Sequence, residues 1–378
     1  MAYSLYCHIP FCVSKCLYCD FFSLPCCNVS EDYLNCLLKE IDFYKNKFSI
    51  DHFRTVYVGG GTSSLLSAHQ IELLLSSAVS PETIEVTMEM NPESLTEEKL
   101  RSFSNSGGNR LSLGIQSFND KALETIGRVC RSKHAEKALD TVKKVWNGRL
   151  NLDVIAGLPD QSDDEFLLSL EKVLSYNPDH VSMYTLTVEE ETPLYSEIEA
   201  NRIKFDFDDA DRQWLLGREI LFKKGFTQYE VSNFSLPGAE CLHNLTYWNL
   251  ENYIGVGAGA SGSVYGSCGE RWANKNDVDA YVKNISALKF DSVSEREELP
   301  VETQEFEFLM MGLRKGSGVN SAEYSNRFSS VAPWNGNLDS RLNFLAERIS
   351  RKEKPDGSAD YFLDKNQILF LNKILLDL

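Results

Sequence analysis

The chain has 378 residues, of which 43% are hydrophobic and 25% charged, and 55 acidic against 38 basic residues give it a net charge of −17. At about 150 residues per domain, this length predicts one large domain with one or two smaller ones and excludes a peptide-sized scaffold. The average composition leaves little room for disorder. The acidic balance excludes a nucleic-acid partner, because the sequence has no basic stripe to offset repulsion of phosphates.

The distribution of the ten cysteines is uneven. Seven of them, Cys7, Cys12, Cys16, Cys19, Cys26, Cys27 and Cys36, lie in the first 36 residues. No apolar run reaches the roughly 18 residues that span a bilayer, and residues 1–13 have no basic region of a secretory signal. We therefore expect a cytoplasmic protein without a transmembrane segment. The cysteines then indicate a metal, cluster or redox site in place of a disulfide framework.

Strands and helices alternate from residue 4 to residue 186. Short β-prone runs predict six strands, and apolar residues at helical spacing follow all but the last of them. The predicted strands are residues 4–9, 54–58, 84–88, 110–115, 150–155 and 180–186, and the predicted helices are residues 31–47, 67–78, 96–104, 133–145 and 163–174. Six parallel βα units fit either an open partial barrel or a doubly wound sheet, and in both the functional loops follow the C-terminal ends of the strands.

The pattern changes after Glu191. Residues 195–225 look helical, and residues 226–269 are rich in Gly, Asn and aromatic side chains. The acidic run 292–300 resembles a solvated linker. Helical patterns at 302–313, 321–328, 338–349 and 367–376 then predict a small, mostly helical terminal domain. We expect three parts: 1–235, 236–291 and 292–378.

Cys12, Cys16 and Cys19 are separated by three residues and then two. A loop with this spacing can present three thiolates to one [4Fe-4S] cluster and leave one iron open, whereas ferredoxins saturate all four irons. A zinc site is the alternative, with Cys7, Cys26 or Cys27 as the further ligand. The spacing favours the cluster.

Cys-x3-Cys-x2-Cys with Tyr18 before the last cysteine resembles the radical S-adenosylmethionine (SAM) superfamily. This resemblance implies an α/β fold with a partial (β/α)6 barrel, and SAM bound to the open iron. It also implies that Gly60, Gly61 and Thr62 hold the amino group of SAM. Further residues that line the cofactor site by resemblance are Tyr6, Tyr18, Glu89, Gln116, Arg128 and Asp153. An arginine suits the SAM carboxylate and an acidic side chain suits a ribose hydroxyl pair.

Residues 5–12, together with Asp20 and Phe21, resemble the branch of this superfamily that contains oxygen-independent coproporphyrinogen III oxidase. That oxidase has a further cysteine where Phe21 stands, and a longer N-terminal arm. Both departures count against oxidase activity in this chain.

The segment His243-Asn-Leu-Thr-Tyr-Trp248 is similar to the signature of haem chaperones in the same branch. The resemblance implies that His243 ligates haem, with Cys241 as a second ligand or a bystander, and that haem passes to acceptor proteins, with a homodimer as one possible state. Two alternatives stay open. One is a true oxidase that uses a 5′-deoxyadenosyl radical to decarboxylate two propionates, and the other is a plain iron–sulfur or zinc module.

Overall fold

A computed structural model describes residues 2–378 of the chain. Its strands are β1 Tyr3–Ile9, β2 Phe11–Cys12, β3 Leu24–Pro25, β4 Phe53–Gly60, β5 Glu85–Met90, β6 Arg110–Gln116, β7 Arg149–Ala156, β8 His180–Thr185, β9 Thr227–Gln228, β10 Asn233–Ser235, β11 Tyr253–Val256, β12 Ser261–Val264, β13 Gly269–Asn274, β14 Ser294–Leu299, β15 Val319–Asn320, β16 Ser350–Glu353 and β17 Ala359–Phe362. Its α-helices are α1 Glu31–Phe48, α2 Ala68–Ala78, α3 Glu97–Asn105, α4 Asp120–Thr125, α5 Ser132–Val145, α6 Asp163–Leu174, α7 Pro193–Glu199, α8 Phe207–Lys223, α9 Leu242–Trp248, α10 Val278–Ser286, α11 Val301–Gly312, α12 Ser321–Phe328, α13 Leu338–Leu342 and α14 Leu371–Leu375.

The centre of the fold is a run of parallel strands in the order β1, β4, β5, β6, β7, β8. Helices connect these strands, as in βα units. The partial (β/α)6 barrel expected from the sequence is therefore confirmed, and the doubly wound alternative is not. Element bounds agree closely with the expectation because local signals set them: α1 begins after Ser30, whose hydroxyl accepts a 3.2 Å hydrogen bond from the amide of Tyr33.

The barrel strands present apolar side chains outward and polar ones inward. In β6, Leu111, Leu113 and Ile115 belong to the main hydrophobic core that the helices cover. The alternating residues Arg110 and Ser112 instead form hydrogen bonds across neighbouring strands. Since successive side chains of a strand point to opposite faces, this alternation gives the barrel a polar interior. That interior opens at the C-terminal ends of the strands.

The sheet extends beyond the barrel on the β1 side. Strand β11 pairs in parallel with β1, and β12, β13 and β14 continue as antiparallel strands. The expected linker at 292–300 is therefore wrong, because β14 pairs with β13 along its whole length. The charged residues of this segment lie on β14, an edge strand, and pair with residues of β13. Glu297 pairs with Arg271, and Arg296 pairs with Glu270.

The C-terminal residues have a hydrophobic core of their own. Phe308, Leu309, Tyr324 and Phe328 are among its buried members. Because β14 belongs to the large sheet, we place the start of this unit at Val301. It is less helical than expected, since β15, β17 and β16 form a small sheet within it.

Three of the predicted helices are shorter than expected. The range 338–349 contains only α13 and a 3-10 turn before β16 begins, and 367–376 is a 3-10 turn followed by α14. The range 195–225 contains the end of α7 and all of α8, with Asn201 between them at a left-handed φ of 56°. In residues 2–378 no helix is both long and apolar enough to cross a bilayer.

Candidate cofactor site and the His243 helix

The three motif cysteines lie at the C-terminal edge of the barrel strands. Cys12, Cys16 and Cys19 all line one cavity of about 450 Å³. None is in a disulfide. The hydroxyl of Thr62 donates to Cys12 Sγ at 3.4 Å, and Arg128 Nη1 donates to Cys16 Sγ at 3.7 Å. Hydrogen bonds to cysteine sulfur are one of the means by which proteins tune iron–sulfur clusters.

The chemistry of the donor set fits an iron–sulfur cluster. Cys12, Cys16 and Cys19 bring three thiols to one cavity wall. Cysteine thiolates are the protein ligands of [4Fe-4S] clusters, and three of them leave one iron open. Within residues 2–378, no compact group of three His, Cys, Asp or Glu side chains is found.

The glycine run closes the cavity beside the cysteine loop. Gly60 has a φ of +114°, and a Cβ there would lie 2.8 Å from the His8 ring. A Cβ on Gly61 would lie 2.9 Å from Cys12 Sγ and 2.7 Å from the carbonyl oxygen of Phe11. All three distances are shorter than real Cβ atoms show. Glycine at these positions lets the loop that carries Cys12 pack directly on the end of β4.

Glu89 and Asp153, the two acidic residues expected at the cofactor site, are among the acidic side chains that line the same cavity. Glu89 accepts a 2.6 Å hydrogen bond from the Tyr57 hydroxyl and a longer one, at 3.3 Å, from the amide of Gly60. Asp153 accepts a 2.7 Å bond from Asn151 Nδ2. Burial, reinforced by the charge of Asp153, raises the pKa of Glu89 to about 7, and burial also raises the pKa of Asp153. A ligand that donates hydrogen bonds to these carboxyls would favour their charged forms.

Gln116 and Arg128 carry polar atoms that have no protein partner. Among the described residues, Gln116 Oε1 and Arg128 Nε are buried without a hydrogen bond. Gln116 also has a left-handed φ of 67°, next to a bulge in the pairing of β6 with β7. Backbone strain of this kind collects at functional sites. Arg128 is fixed by the bond from its Nη2 to the Gly114 carbonyl, at 2.6 Å. Both side chains line the cavity, so a polar ligand there would satisfy these atoms.

The two tyrosines expected at the cofactor site differ in position. Tyr18 lines the cavity, whereas Tyr6 is not among the described residues that line it. The Tyr6 hydroxyl lies 2.9 Å from His8 Nδ1, and its ring lies 6.1 Å from that of Tyr57. Tyr6 is therefore one side chain removed from the cavity wall. Tyr184, at the end of β8, lines the cavity and was missed by the sequence analysis, although its place at a strand end could have indicated it.

His243 lies outside this cavity, in helix α9. The carboxylate of Glu85 accepts the backbone amides of Leu242 and His243, at 3.1 and 2.8 Å. Arg110 Nε donates to the same carboxylate at 3.0 Å, and this ion pair is almost fully buried. Glu85 thus anchors the N-terminal end of α9 to the interior of the barrel.

The imidazole of His243 is enclosed and hydrogen-bonded at both nitrogens. Its Nδ1 lies 2.7 Å from Thr55 Oγ1 and its Nε2 lies 2.9 Å from the Tyr247 hydroxyl, while the residue is 1% exposed. Since Thr55 donates its own proton to Ser4, Nδ1 is the protonated nitrogen and Nε2 accepts from Tyr247. Burial lowers the pKa of His243 to about 3. In this conformation the Nε2 lone pair is therefore occupied by the Tyr247 hydroxyl, and the ligand role of His243 stays a prediction.

Cys241, the second candidate for a haem ligand, is also buried. Its thiol donates to Glu85 Oε1 at 3.5 Å, and burial raises its pKa well above the ordinary thiol value. It is therefore a protonated thiol when no metal is bound. In this conformation both Cys241 and His243 are buried and hydrogen-bonded.

The geometry and the sequence comparisons agree on the class of protein. A sequence profile of the Radical SAM superfamily matches residues 6–173, which contain the cysteine loop and most of the cavity. The fold is similar over 99% of this chain and 89% of the other to the structure reported as "Coproporphyrinogen III oxidase (HemN) from Escherichia coli is a Radical SAM enzyme", with a TM-score of 0.80 at 19% identity. At this identity the likeness concerns the fold alone. The fold and the site define a radical SAM protein.

Similar proteins with assigned names narrow the class of radical SAM protein to one family. The heme chaperone HemW of Lactococcus lactis subsp. lactis is 36% identical over 333 residues, which are 86% of this chain and 85% of the relative. HemW of Bacillus subtilis is 34% identical over 356 residues, or 91% of each chain. A mitochondrial radical S-adenosyl methionine domain-containing protein 1 of mouse is 33% identical over 88% of this chain and 77% of the relative. The chain belongs to the HemW family of radical SAM proteins.

Proposed function

We propose that this protein is a haem chaperone that binds haem, a [4Fe-4S] cluster and SAM, and transfers haem to acceptor proteins. The observation that carries the proposal is the likeness to relatives named heme chaperone HemW along most of both chains. The segment His243–Trp248 adds to it, since its sequence resembles the signature of haem chaperones. The cytoplasmic location and the homodimer stay predictions.

The cavity residues support the cofactor part of the proposal. Cys12, Cys16 and Cys19 would hold the cluster, which when bound supplies an electron and an open iron for SAM. Arg128 offers a buried guanidinium with an unpaired Nε for the SAM carboxylate. Glu89 and Asp153 offer carboxyl oxygens for hydroxyl or ammonium donors. The chain's own contribution is to hold these groups in fixed places against the strand ends.

The proposed ligation of haem by His243 requires that its imidazole is both neutral and accessible. A neutral imidazole is the form that ligates haem iron, and His243 is held neutral by burial. Its Nε2 becomes available only when the Tyr247 hydroxyl leaves it. Haem ligation by His243 therefore requires that the Tyr247 side chain leaves Nε2 and that the buried imidazole becomes accessible to haem. The ligand role of His243 is part of the proposal and is tested separately from haem binding itself.

One anaerobic experiment tests the function. Reconstituted protein is titrated with haem while the Soret band is followed, and a parallel sample receives coproporphyrinogen III, SAM and a reductant. We expect haem binding without porphyrin product, and transfer of the bound haem to an added apo-haem protein such as apomyoglobin. Turnover of coproporphyrinogen III would establish the oxidase alternative and overturn the chaperone proposal. Absence of haem binding would overturn it as well.

A further inference from the structure

Tyr57 is in contact with both functional regions of the molecule. It lies near the middle of β4, and its hydroxyl donates a 2.6 Å hydrogen bond to Glu89 Oε1 in the cofactor cavity. The opposite contact is with His243, whose imidazole stacks on the Tyr57 ring at a centroid distance of 5.0 Å and an interplanar angle of 28°. A single side chain thus spans the distance between the cavity carboxylate and helix α9.

The His243 end of this path is held in place by further contacts. Thr55, two residues before Tyr57 on the same face of β4, hydrogen-bonds Nδ1 of His243. Tyr247 covers Nε2 and packs edge-on against the imidazole, with centroids 5.2 Å apart. Since packed interiors move between discrete arrangements, a shift of the Tyr57 ring has to be matched by the imidazole. The path Glu89–Tyr57–His243 is short, and it is continuous.

We propose that Tyr57 is a positioning residue that couples the cofactor cavity to helix α9, so that SAM bound at Glu89 holds His243 in its enclosed position. The inference rests on the proposed function in one respect, namely that SAM binds in the cavity. It adds a regulatory relation between the SAM site and the haem signature, which the proposed function leaves unconnected.

The direction of the coupling follows from the chemistry of Glu89. Donors on SAM favour the ionised carboxylate, and a hydroxyl bonds more strongly to an ionised acceptor than to a neutral one. A stronger Tyr57–Glu89 bond restricts the tyrosine ring and with it the stacked imidazole. A carboxylate accepts up to about four hydrogen bonds, so Tyr57 and SAM need not compete for it. SAM therefore stabilises the closed α9, and its departure loosens the helix.

Hydrogen exchange of the α9 amides tests the coupling. Exchange in residues 242–248 is measured by mass spectrometry on anaerobically reconstituted protein, with and without saturating SAM. In the wild type we expect SAM to slow this exchange about fivefold, the lower end of typical coupling between sites. In Tyr57→Phe, which keeps the ring and removes the hydroxyl, we expect the ratio to fall to about one although SAM still binds at saturating concentration.

The matched control is Tyr281→Phe. The Tyr281 hydroxyl donates to the buried Glu40 at 2.6 Å, the same length as the Tyr57–Glu89 bond, but this bond joins α10 to α1. This variant loses an equivalent hydrogen bond and should keep the SAM effect on α9. A SAM effect that persists in Tyr57→Phe, or that disappears equally in Tyr281→Phe, would overturn the proposal.

A second variant keeps the test decisive if Tyr57→Phe does not fold. Thr55→Val releases Nδ1 of His243 without touching Glu89, and we expect it to reduce the SAM effect on α9 as well. An undiminished effect in Thr55→Val would place the coupling outside His243. Equilibrium dialysis of SAM against the wild type distinguishes failure of the coupling from failure of the proposed function. If SAM does not bind, the cofactor part of the proposed function is wrong. If SAM binds but the exchange of the α9 amides does not change, only the coupling is wrong.

Discussion

Glu85 and Arg110 form a buried ion pair beneath helix α9, with Arg110 Nε 3.0 Å from Glu85 Oε2 and side-chain exposures of 2% for Arg110 and 6% for Glu85. Arg110 also donates to the carbonyls of Ala239 and Glu240, directly before the helix. The pair therefore fixes both the chain that leads into α9 and the amides of its first turn.

Arg110→Met should strongly destabilise the protein. It leaves the Glu85 carboxylate buried without its cation, which costs about 3–5 kcal/mol of unfolding free energy. Denaturant unfolding of the apo-protein measures the loss. The control is Arg101→Met, because Arg101 pairs with Glu97 at the surface, where an ion pair contributes about 1 kcal/mol or less. Equal losses in the two variants would contradict the anchoring role of Glu85.

Tyr247→Phe should strengthen haem binding. The variant removes the hydroxyl that occupies His243 Nε2 and leaves the imidazole in place. Removing one such hydrogen bond lowers the cost of freeing the nitrogen by about 1 kcal/mol, which is about fivefold in the haem dissociation constant. Haem titration followed at the Soret band measures this dissociation constant. His243→Ala is the opposite case, because it removes the proposed ligand and should weaken haem binding. If both variants bind haem like the wild type, His243 is not the ligand.

Gly60→Ala should impair cluster and SAM binding. The new methyl group meets the His8 ring at 2.8 Å and the backbone has a φ of +114°, so the glycine loop must move away from the cysteines. We expect about a tenfold loss of SAM affinity. Gly225→Ala is the control for backbone strain without crowding. Gly225 has a φ of +86°, and no atom lies within 4 Å of a Cβ placed there. Similar SAM affinities in both variants would show that crowding at Gly60 is unimportant.

Cys16→Ala should abolish the visible absorbance of the reconstituted cluster. Cys16 lines the cavity with Cys12 and Cys19, and its loss would remove one of the three proposed cluster ligands. Cys27→Ser is the control, because Cys27 is an exposed free thiol eight residues after Cys19 and does not line the cavity in the described part of the chain. Iron content and the absorption spectrum are measured after anaerobic reconstitution. A cluster spectrum that survives in Cys16→Ala would contradict the ligand assignment.

Glu89 should make the apo-protein less stable as the pH rises. Its pKa is about 7 in the fold and 4.5 in the reference state, so the folded protein binds the extra proton between these values. The stabilisation is complete below pH 4.5 and is lost as the pH rises through 7. We expect Glu89→Gln to remove on the order of 2 kcal/mol of this decline between pH 5 and pH 8.

Glu230 contributes a second part of the same pH dependence. Burial raises its pKa to about 7 as well. Thermal or denaturant unfolding across this pH range should therefore show a smaller slope in Glu89→Gln and in Glu230→Gln than in the wild type. An unchanged slope in Glu89→Gln would mean that the carboxyl is ionised throughout the range.

The barrel strands were predictable because their signal is local. Alternation of apolar and polar residues in β6, or the Ser30 cap of α1, is visible within a few residues. Strand β11 has no such signal. It is four residues long, lies in a glycine-rich stretch, and pairs with β1 through contacts such as Ser4 with Tyr253. Partners so distant in sequence leave no periodic pattern near either strand.

The residues of the candidate site also differ in how far the sequence could predict them. Glu89, Gln116 and Asp153 were predictable because they belong to motifs at strand ends, and the structure brings them into one cavity. The enclosure of His243 depends on Thr55, 188 residues earlier, and this contact could not be expected from the histidine motif. Tyr57 was missed for a related reason. It lies within β4, where a tyrosine on the inward face looks like any other strand residue.

The position of β1 between β4 and β11 has a consequence for biosynthesis. The strand leaves the ribosome before β4, and its pairing with β4 can form once residues 53–60 follow. Its other edge stays unpaired until residues 253–256 are made, after α9 has emerged. An unpaired edge exposes backbone groups that invite wrong pairing. The cysteine loop directly follows β1, so the nascent chain completes the support of this loop only after residues 242–248 have been synthesised.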